Sequence, residues 1–203
     1  MNDAFINKLK RKLSLPLPGR AAQQPMAPSL RMNHGNSRVL AQAGVMLFLY
    51  PKDNEWNLAF IKRQEYPGAH SGQISFPGGK ADVLDSSIQH TALRETEEEI
   101  GVPASQINIL GSLTKLYIPV SEFEVYPFVG FSQALPQFKI DPHEVQYLIQ
   151  IKVNDLLNPA IRLERPYTQH DLNGTIPYFD LQGHEIWGAT AMILNEFLTL
   201  IGH

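Results

Sequence analysis

The spacing of apolar residues changes several times along the chain, and each change marks an expected element. In "AFINKLKRKL", residues 4–13, Phe5, Ile6, Leu9 and Leu13 recur at helical spacing between cations, which predicts a short basic amphipathic helix. Such a helix is either an arm docked by its apolar side or a contact for a membrane surface or nucleic acid. From Ser14 to Arg38 prolines recur without periodicity, as in a tether or wrapping segment rather than a folded unit. Val39 to Tyr50 and Leu58 to Arg63 read as paired strands joined through "PKDNEW", and Ile74 to Phe76 as a short strand before "PGG". A helix is expected over Ser87 to Ile100, with Ser86 and Gln89 as a capping box and Gly101, then Pro103, as its stop. Strands at Ile107 to Ile118, Phe123 to Phe131 and Tyr147 to Val153 follow, then a turn at "NDLLNP". Arg162 to Tyr167 and Thr175 to Phe179 suggest a hairpin, and "GATAMILNEFLTLI" a closing helix. Many strands with few helices point to a mixed α/β sandwich rather than a doubly wound sheet. The organisation expected is an arm over residues 1–37 and one domain over 38–203.

Composition narrows the chemistry. The 203 residues are 43% apolar and 18% charged, ordinary for one globular domain. No apolar run approaches the ~20 residues of a membrane span. Lysines and asparagines interrupt the N-terminus where a secretory signal would be apolar, so a cytoplasmic location is expected. With no cysteine, disulfides, thiolate nucleophiles and zinc–thiolate sites are excluded, and a metal must be held by carboxylate, histidine or carbonyl. Residues 1–38 hold seven of the 17 Lys/Arg and one of the 20 acids, leaving ten cations against nineteen acids in the body. An acidic body that handles anionic substrates needs a metal ion or a local basic cluster.

"RETEEEIGV", Arg94 to Val102, places four glutamates in five positions. On a helix Glu95, Glu98 and Glu99 share a face, Glu97 points elsewhere, and Ile88, Ala92, Thr96 and Ile100 line the opposite side. The repulsion has no compensating lysine four residues on; Arg94 lies four before Glu98 and can hold it. This is either a solvated acidic face or a set of oxygen ligands for a hard cation such as Mg²⁺. In "GQISFPGGK", Gly78 and Gly79 permit a bend open to close approach by a carbonyl or phosphate. The spacing excludes a P-loop, and no G-x-G-x-x-G or H-E-x-x-H occurs.

Pro77 to Val102, "PGGKADVLDSSIQHTALRETEEEIGV", resembles the Nudix box, G-x5-E-x7-R-E-U-x-E-E-x-G-U. Arg94, Glu95, Glu98, Glu99, Gly101 and Val102 fall on the pattern. Counting back puts Lys80 at the leading glycine and Ser86 at the first glutamate, a departure equivalent to one extra residue after Gly79, and Thr96 replaces the bulky aliphatic. Upstream, Ala59 to Gly79 is similar to a second signature, L-L-T-x-R-S/A-x3-R-x3-G-x3-F-P-G-G, of the coenzyme A pyrophosphatase branch. Arg63, Gly72 and Phe76 to Gly79 match it, whereas Gly68 replaces its second arginine and Gln64 its small residue.

The resemblance implies a Nudix α/β/α sandwich with a mixed sheet, and Mg²⁺- or Mn²⁺-dependent hydrolysis of a nucleoside diphosphate linked to another group. Coenzyme A would give adenosine 3′,5′-bisphosphate and 4′-phosphopantetheine. Similarity implies Glu95 and Glu99 as principal metal ligands, Glu98 as a further ligand or water-activating group, and the Gly79 carbonyl as a possible ligand. Glu144, before the strand at Tyr147, is a second candidate for the base. Arg63 is expected to bind a substrate phosphate through its planar fork or to end a strand in solvent, and His70 to touch substrate or its own turn. Arg162, Arg165 and Tyr167 either form a base or phosphate pocket or decorate a hairpin, and Trp187 is expected in the core. The expected partner is a coenzyme A-like nucleotide, without nucleic acid or a membrane span, and a homodimer is compatible with the chain. ADP-ribose hydrolysis and nucleotide sensing without turnover are the alternatives; RNA cap removal is disfavoured by the acidic body.

Overall fold

Strand β1 (Ala41–Lys52) organises the molecule, because its apolar side chains alternate between two faces. Met46, Phe48 and Tyr50 enter one hydrophobic cluster, and Leu47 and Leu49 the other. The computed structural model describes residues 4–29, 41–65, 71–119, 121–169 and 172–202. Asp53 and Asn54, both at positive φ (52° and 60°), make a two-residue turn into antiparallel β2 (Glu55–Arg63). So tight a turn lengthens both strands beyond the expected Tyr50 and Leu58.

Strands β3 (Ile74–Ser75) and β8 (Val145–Lys152) pair antiparallel with β2, and β4 (Gly78–Lys80) with β1. On its other edge β1 runs parallel to β7 (Phe123–Phe131), which pairs antiparallel with β5 (Asn108–Ser112) and β6 (Leu116–Ile118). The eight strands therefore form a mixed sheet. The single strand expected over Ile107 to Ile118 breaks where Leu113 N–H bonds Pro127 and Thr114 N–H turns to a buried carboxylate.

Helix α3 (Ile88–Ile100) covers one face through Ala92 and Ile100. Helix α5 (Gly188–Gly202) covers the other through Ile193, Leu194 and Phe197, completing the expected α/β/α layering. Between them in sequence lie a helical turn, α4 (Val153–Leu156), where only a turn was expected, and a second antiparallel sheet. That sheet is β9 (Arg162–Gln169), β10 (Leu172–Leu181) and β11 (His184–Trp187); the hairpin is longer than expected and β11 extends it.

The N-terminal elements belong to the same core. Helix α1 (Ala4–Leu13) docks by Ile6 and Leu9, and its Lys12 Nζ donates to the Leu200 carbonyl at 2.6 Å. Contrary to the tether expected from Ser14 onward, α2 (Gly19–Gln23) and a 3₁₀ turn at Gln24–Met26 are folded, with Met26 fully buried. The cause is a buried carboxylate on α5: Glu196 accepts from Gly19 N–H (3.1 Å), Gln23 Nε2 (2.8 Å) and Thr114 N–H (3.2 Å). Local propensity could not reveal so distant a partner. Residues 30–38 of that stretch lie outside the described residues.

Candidate active site

Ser87, rather than Ser86 with Gln89, caps α3: its Oγ accepts His90 N–H at 3.1 Å. The helix stops as expected at Gly101, in the left-handed conformation at φ 72°. Its four glutamates meet different surroundings: Glu97 and Glu98 are exposed, Glu95 is half-buried and Glu99 is fully buried. The acidic face thus turns inward at its C-terminal end.

Glu99 is held by two donors. Arg63 Nη1 lies 2.7 Å from Oε1, and Gly78 N–H donates to Oε2 at 2.8 Å. Burial pushes its carboxyl up to about 8, opposed by Arg63 and the Gly78 bond and reinforced by Glu95 and Glu144. Burial also raises Glu95, offset by the Arg94 guanidinium 2.8 Å away. The glycine pair makes this seat possible. Gly78 sits at φ 148°, where a Cβ would meet the Gly44 carbonyl at 2.4 Å, and a Cβ on Gly79 would lie 2.4 Å from the Glu95 carboxyl carbon. Phe76, stacked on Phe60 with centroids 4.9 Å apart, anchors the start of this bend in the core.

A third carboxylate arrives from the loop before β8. Glu95, Glu99 and Glu144 offer oxygen atoms that all lie within 4.8 Å of one another. Nearby, Arg94 Nε and Nη2 clasp the two oxygens of Asp85 at 3.0 Å each, and its Nη1 reaches Glu98 at 2.7 Å. Five acids (Asp85, Glu95, Glu98, Glu99 and Glu144) thus gather around two arginines, and Arg63 and Arg94 are engaged on Glu99 and on Asp85, Glu95 and Glu98. An all-oxygen donor set with surplus negative charge and a buried member fits a hard divalent cation.

The NUDIX domain family matches residues 40–170, well over half of the chain. The chain belongs to the Nudix hydrolase family. A Yersinia enterocolitica protein named "Uncharacterized Nudix hydrolase NudL" is 34% identical over 200 residues, covering 97% of this chain and 96% of that one. A namesake from Yersinia pestis is 32% identical over 192 residues, covering 95% and 90%. The fold is similar to a MutT protein from Methanosarcina mazei (TM-score 0.51, 16% identity, 81% of this chain and 96% of that one). It is also similar to a MutT/nudix family protein from Enterococcus faecalis (TM-score 0.50, 14% identity, 90% and 70%). Nudix hydrolases generally use divalent metals, and the cluster in this chain has the donor type such metals take.

Within this Nudix fold the expected residues divide. Glu95, Glu99 and Glu144 converge, with Gly79 against Glu95. Glu98, expected as a ligand or base, lies outside that group of three: its side chain is 53% exposed and tied to Arg94. Arg63, expected to bind a phosphate or to end a strand in solvent, has its Nη1 on the buried Glu99 carboxyl. His70 and Gly68 lie outside the described residues.

Asp85 escaped the sequence reading. It stands one residue before Ser86, and its side chain is 3% exposed. Besides Arg94, Asp85 accepts from Thr91 Oγ1 (2.8 Å) and Asp82 N–H (3.0 Å), and the guanidinium holds its carboxyl well below the usual range. An acid adjacent to the in-register position was the available signal. Arg162 and Arg165 decorate the second sheet, on Asn195 and Glu185, and Trp187 is half-buried under Arg165 rather than in the core. A cavity of about 400 Å³ opens between Lys62, Tyr147, His184 and Trp187, and the three clustered carboxylates do not line it. Among the described residues no helix is long and apolar enough to cross a membrane.

Proposed function

We propose that this Nudix hydrolase cleaves the pyrophosphate bond of coenzyme A or its derivatives, giving adenosine 3′,5′-bisphosphate and 4′-phosphopantetheine, with Mg²⁺ or Mn²⁺ as cofactor. The observation that carries this reading is the position of the stretch similar to the coenzyme A branch. Arg63 and Gly78 grip Glu99, and Gly79 fits against Glu95, so that stretch forms a wall of the carboxylate cluster.

Glu95, Glu99 and Glu144 would hold the cation, with the Gly79 carbonyl as a further oxygen donor. When bound, such a cation supplies the Lewis acidity that activates water and neutralises charge on the leaving phosphate. The chain's own contribution is orientation. Arg63 and the Gly78 N–H fix both oxygens of Glu99, and Arg94 braces Glu95 against Asp85 and the Lys80 carbonyl. Glu144, the exposed member of the cluster, takes the proton of the attacking water. The water oxygen bonds to one phosphorus, the bridging P–O bond breaks, and the leaving phosphate keeps the electron pair. Glu98 acts through Arg94, as a positioning residue.

The test is incubation of the purified chain with coenzyme A and, separately, ADP-ribose, in Mg²⁺ and in Mn²⁺, with products identified by mass. Conversion of coenzyme A to the two named products, with ADP-ribose poor, is expected. Cleavage of ADP-ribose alone would move the substrate to another nucleoside diphosphate. Nucleotide binding without turnover of either would make the chain a sensor and overturn the reading.

A further inference from the structure

Three hydrogen bonds meet at Gln64, the residue that follows β2. Its N–H donates to the Glu144 carbonyl at 2.8 Å, its Nε2 to the Pro142 carbonyl at 2.7 Å, and its own carbonyl accepts Gly72 N–H at 3.1 Å. The loop so held carries the exposed member of the carboxylate cluster. Its other side is fastened to the end of α3, where Asp141 N–H donates to the Glu99 carbonyl at 3.1 Å and Lys139 N–H to the Ile100 carbonyl at 2.9 Å. Between these moorings Pro142 has no N–H to offer, and His143 N–H turns back to Asp141 Oδ1 at 2.8 Å.

Any residue but proline at position 64 keeps the main-chain bond to Glu144. The bond to Pro142, two residues before Glu144, depends on the side-chain amide, and at this position the similar signature has a small residue. We propose that the Gln64 amide is a positioning group for Glu144, fixing the reach of its carboxylate toward Glu95 and Glu99 and so setting the cation affinity of the site. The inference rests on the reading that Glu144 belongs to that site. Because the Gln64–Pro142 bond is exposed, its loss should be felt in the placement of the loop far more than in global stability.

The experiment is a double-mutant cycle read by Mn²⁺ binding to the full chain without substrate, following free Mn²⁺ by electron paramagnetic resonance, with unfolding midpoints recorded alongside. Gln64→Ala should weaken Mn²⁺ binding about 10-fold, the low end of what outer ligand supports cost. Glu144→Gln should weaken it as well, and the double variant should bind no more weakly than Glu144→Gln alone. Gln64→Ser gives an independent version of the cycle should the alanine variant fold poorly. Unchanged Mn²⁺ affinity in the Gln64 variants, or the full Gln64→Ala loss persisting beside Glu144→Gln, overturns the proposal while leaving the cation site intact. Unchanged affinity in Glu144→Gln removes Glu144 from the site, and the proposal with it.

Discussion

Glu99 makes the metal-free protein pay for its active site, and the cost has a defined pH dependence. Burial lifts its carboxyl from the ordinary 4.5 to about 8, and the side chain is fully buried, so solvent screening removes little of the effect. Between those values the folded protein keeps a proton that the unfolded chain has released. Unfolding therefore releases a proton, and the Glu99 contribution to stability falls as pH rises through this window. The slope is about 1.4 kcal/mol per pH unit for one proton; it vanishes below 4.5 and again above about 8. Urea unfolding in a chelator, at intervals from about pH 5 to about pH 8, should show wild type losing stability relative to Glu99→Gln at that rate. Comparing slopes avoids the fixed effect of placing an amide beside Arg63 and the Gly78 N–H. Excess Mn²⁺ should flatten the trend in wild type, because the cation binds the deprotonated carboxylate and above 4.5 neither the cation-bound folded chain nor the unfolded chain then holds the proton. Parallel wild-type and variant curves across the window would refute the assignment of a buried, proton-retaining Glu99.

Other consequences follow from neighbouring contacts. Asp85→Asn should lower stability by about 2 kcal/mol in urea unfolding, because it leaves the Arg94 fork short of a charged acceptor. The wild-type advantage should be present above the ordinary 3.8 and fade as pH falls below it, since the folded carboxyl is held lower. Gly79→Ala should leave circular dichroism unchanged while reducing turnover about 100-fold, because its Cβ would displace a carboxylate carbon 2.4 Å away. Glu196→Ala should cost about 3 kcal/mol and make residues near α2 susceptible to proteolysis, since three buried or half-buried donors lose their acceptor.

Much of the scaffold was legible because periodicity is a local signal. The bounds of α1 and β7, the closing helix and the Gly101 stop all follow from residues within the element itself. The glutamates of α3 were legible as a group but not in their separate fates. Helical spacing says which side chains share a face, whereas the burial of Glu99 depends on Arg63 and Gly78, brought in from β2 and β4. Asp85 was hidden for a related reason: it stands one residue off the in-register position, and only the fold shows that its carboxylate meets Arg94. Folded α2 was equally out of reach, since short, proline-flanked helices carry little intrinsic stability and this one is held by Glu196 from the far end of the chain.

The most direct test of the central claim is mass-resolved release of 4′-phosphopantetheine from coenzyme A in Mg²⁺ or Mn²⁺. Wild-type protein would be compared with Glu99→Gln shown to be folded. Stoichiometric formation of 4′-phosphopantetheine and adenosine 3′,5′-bisphosphate by the wild type, with none above the enzyme-free background from the variant, is predicted. Intact coenzyme A after incubation with wild type, or equal turnover by the variant, would contradict the account.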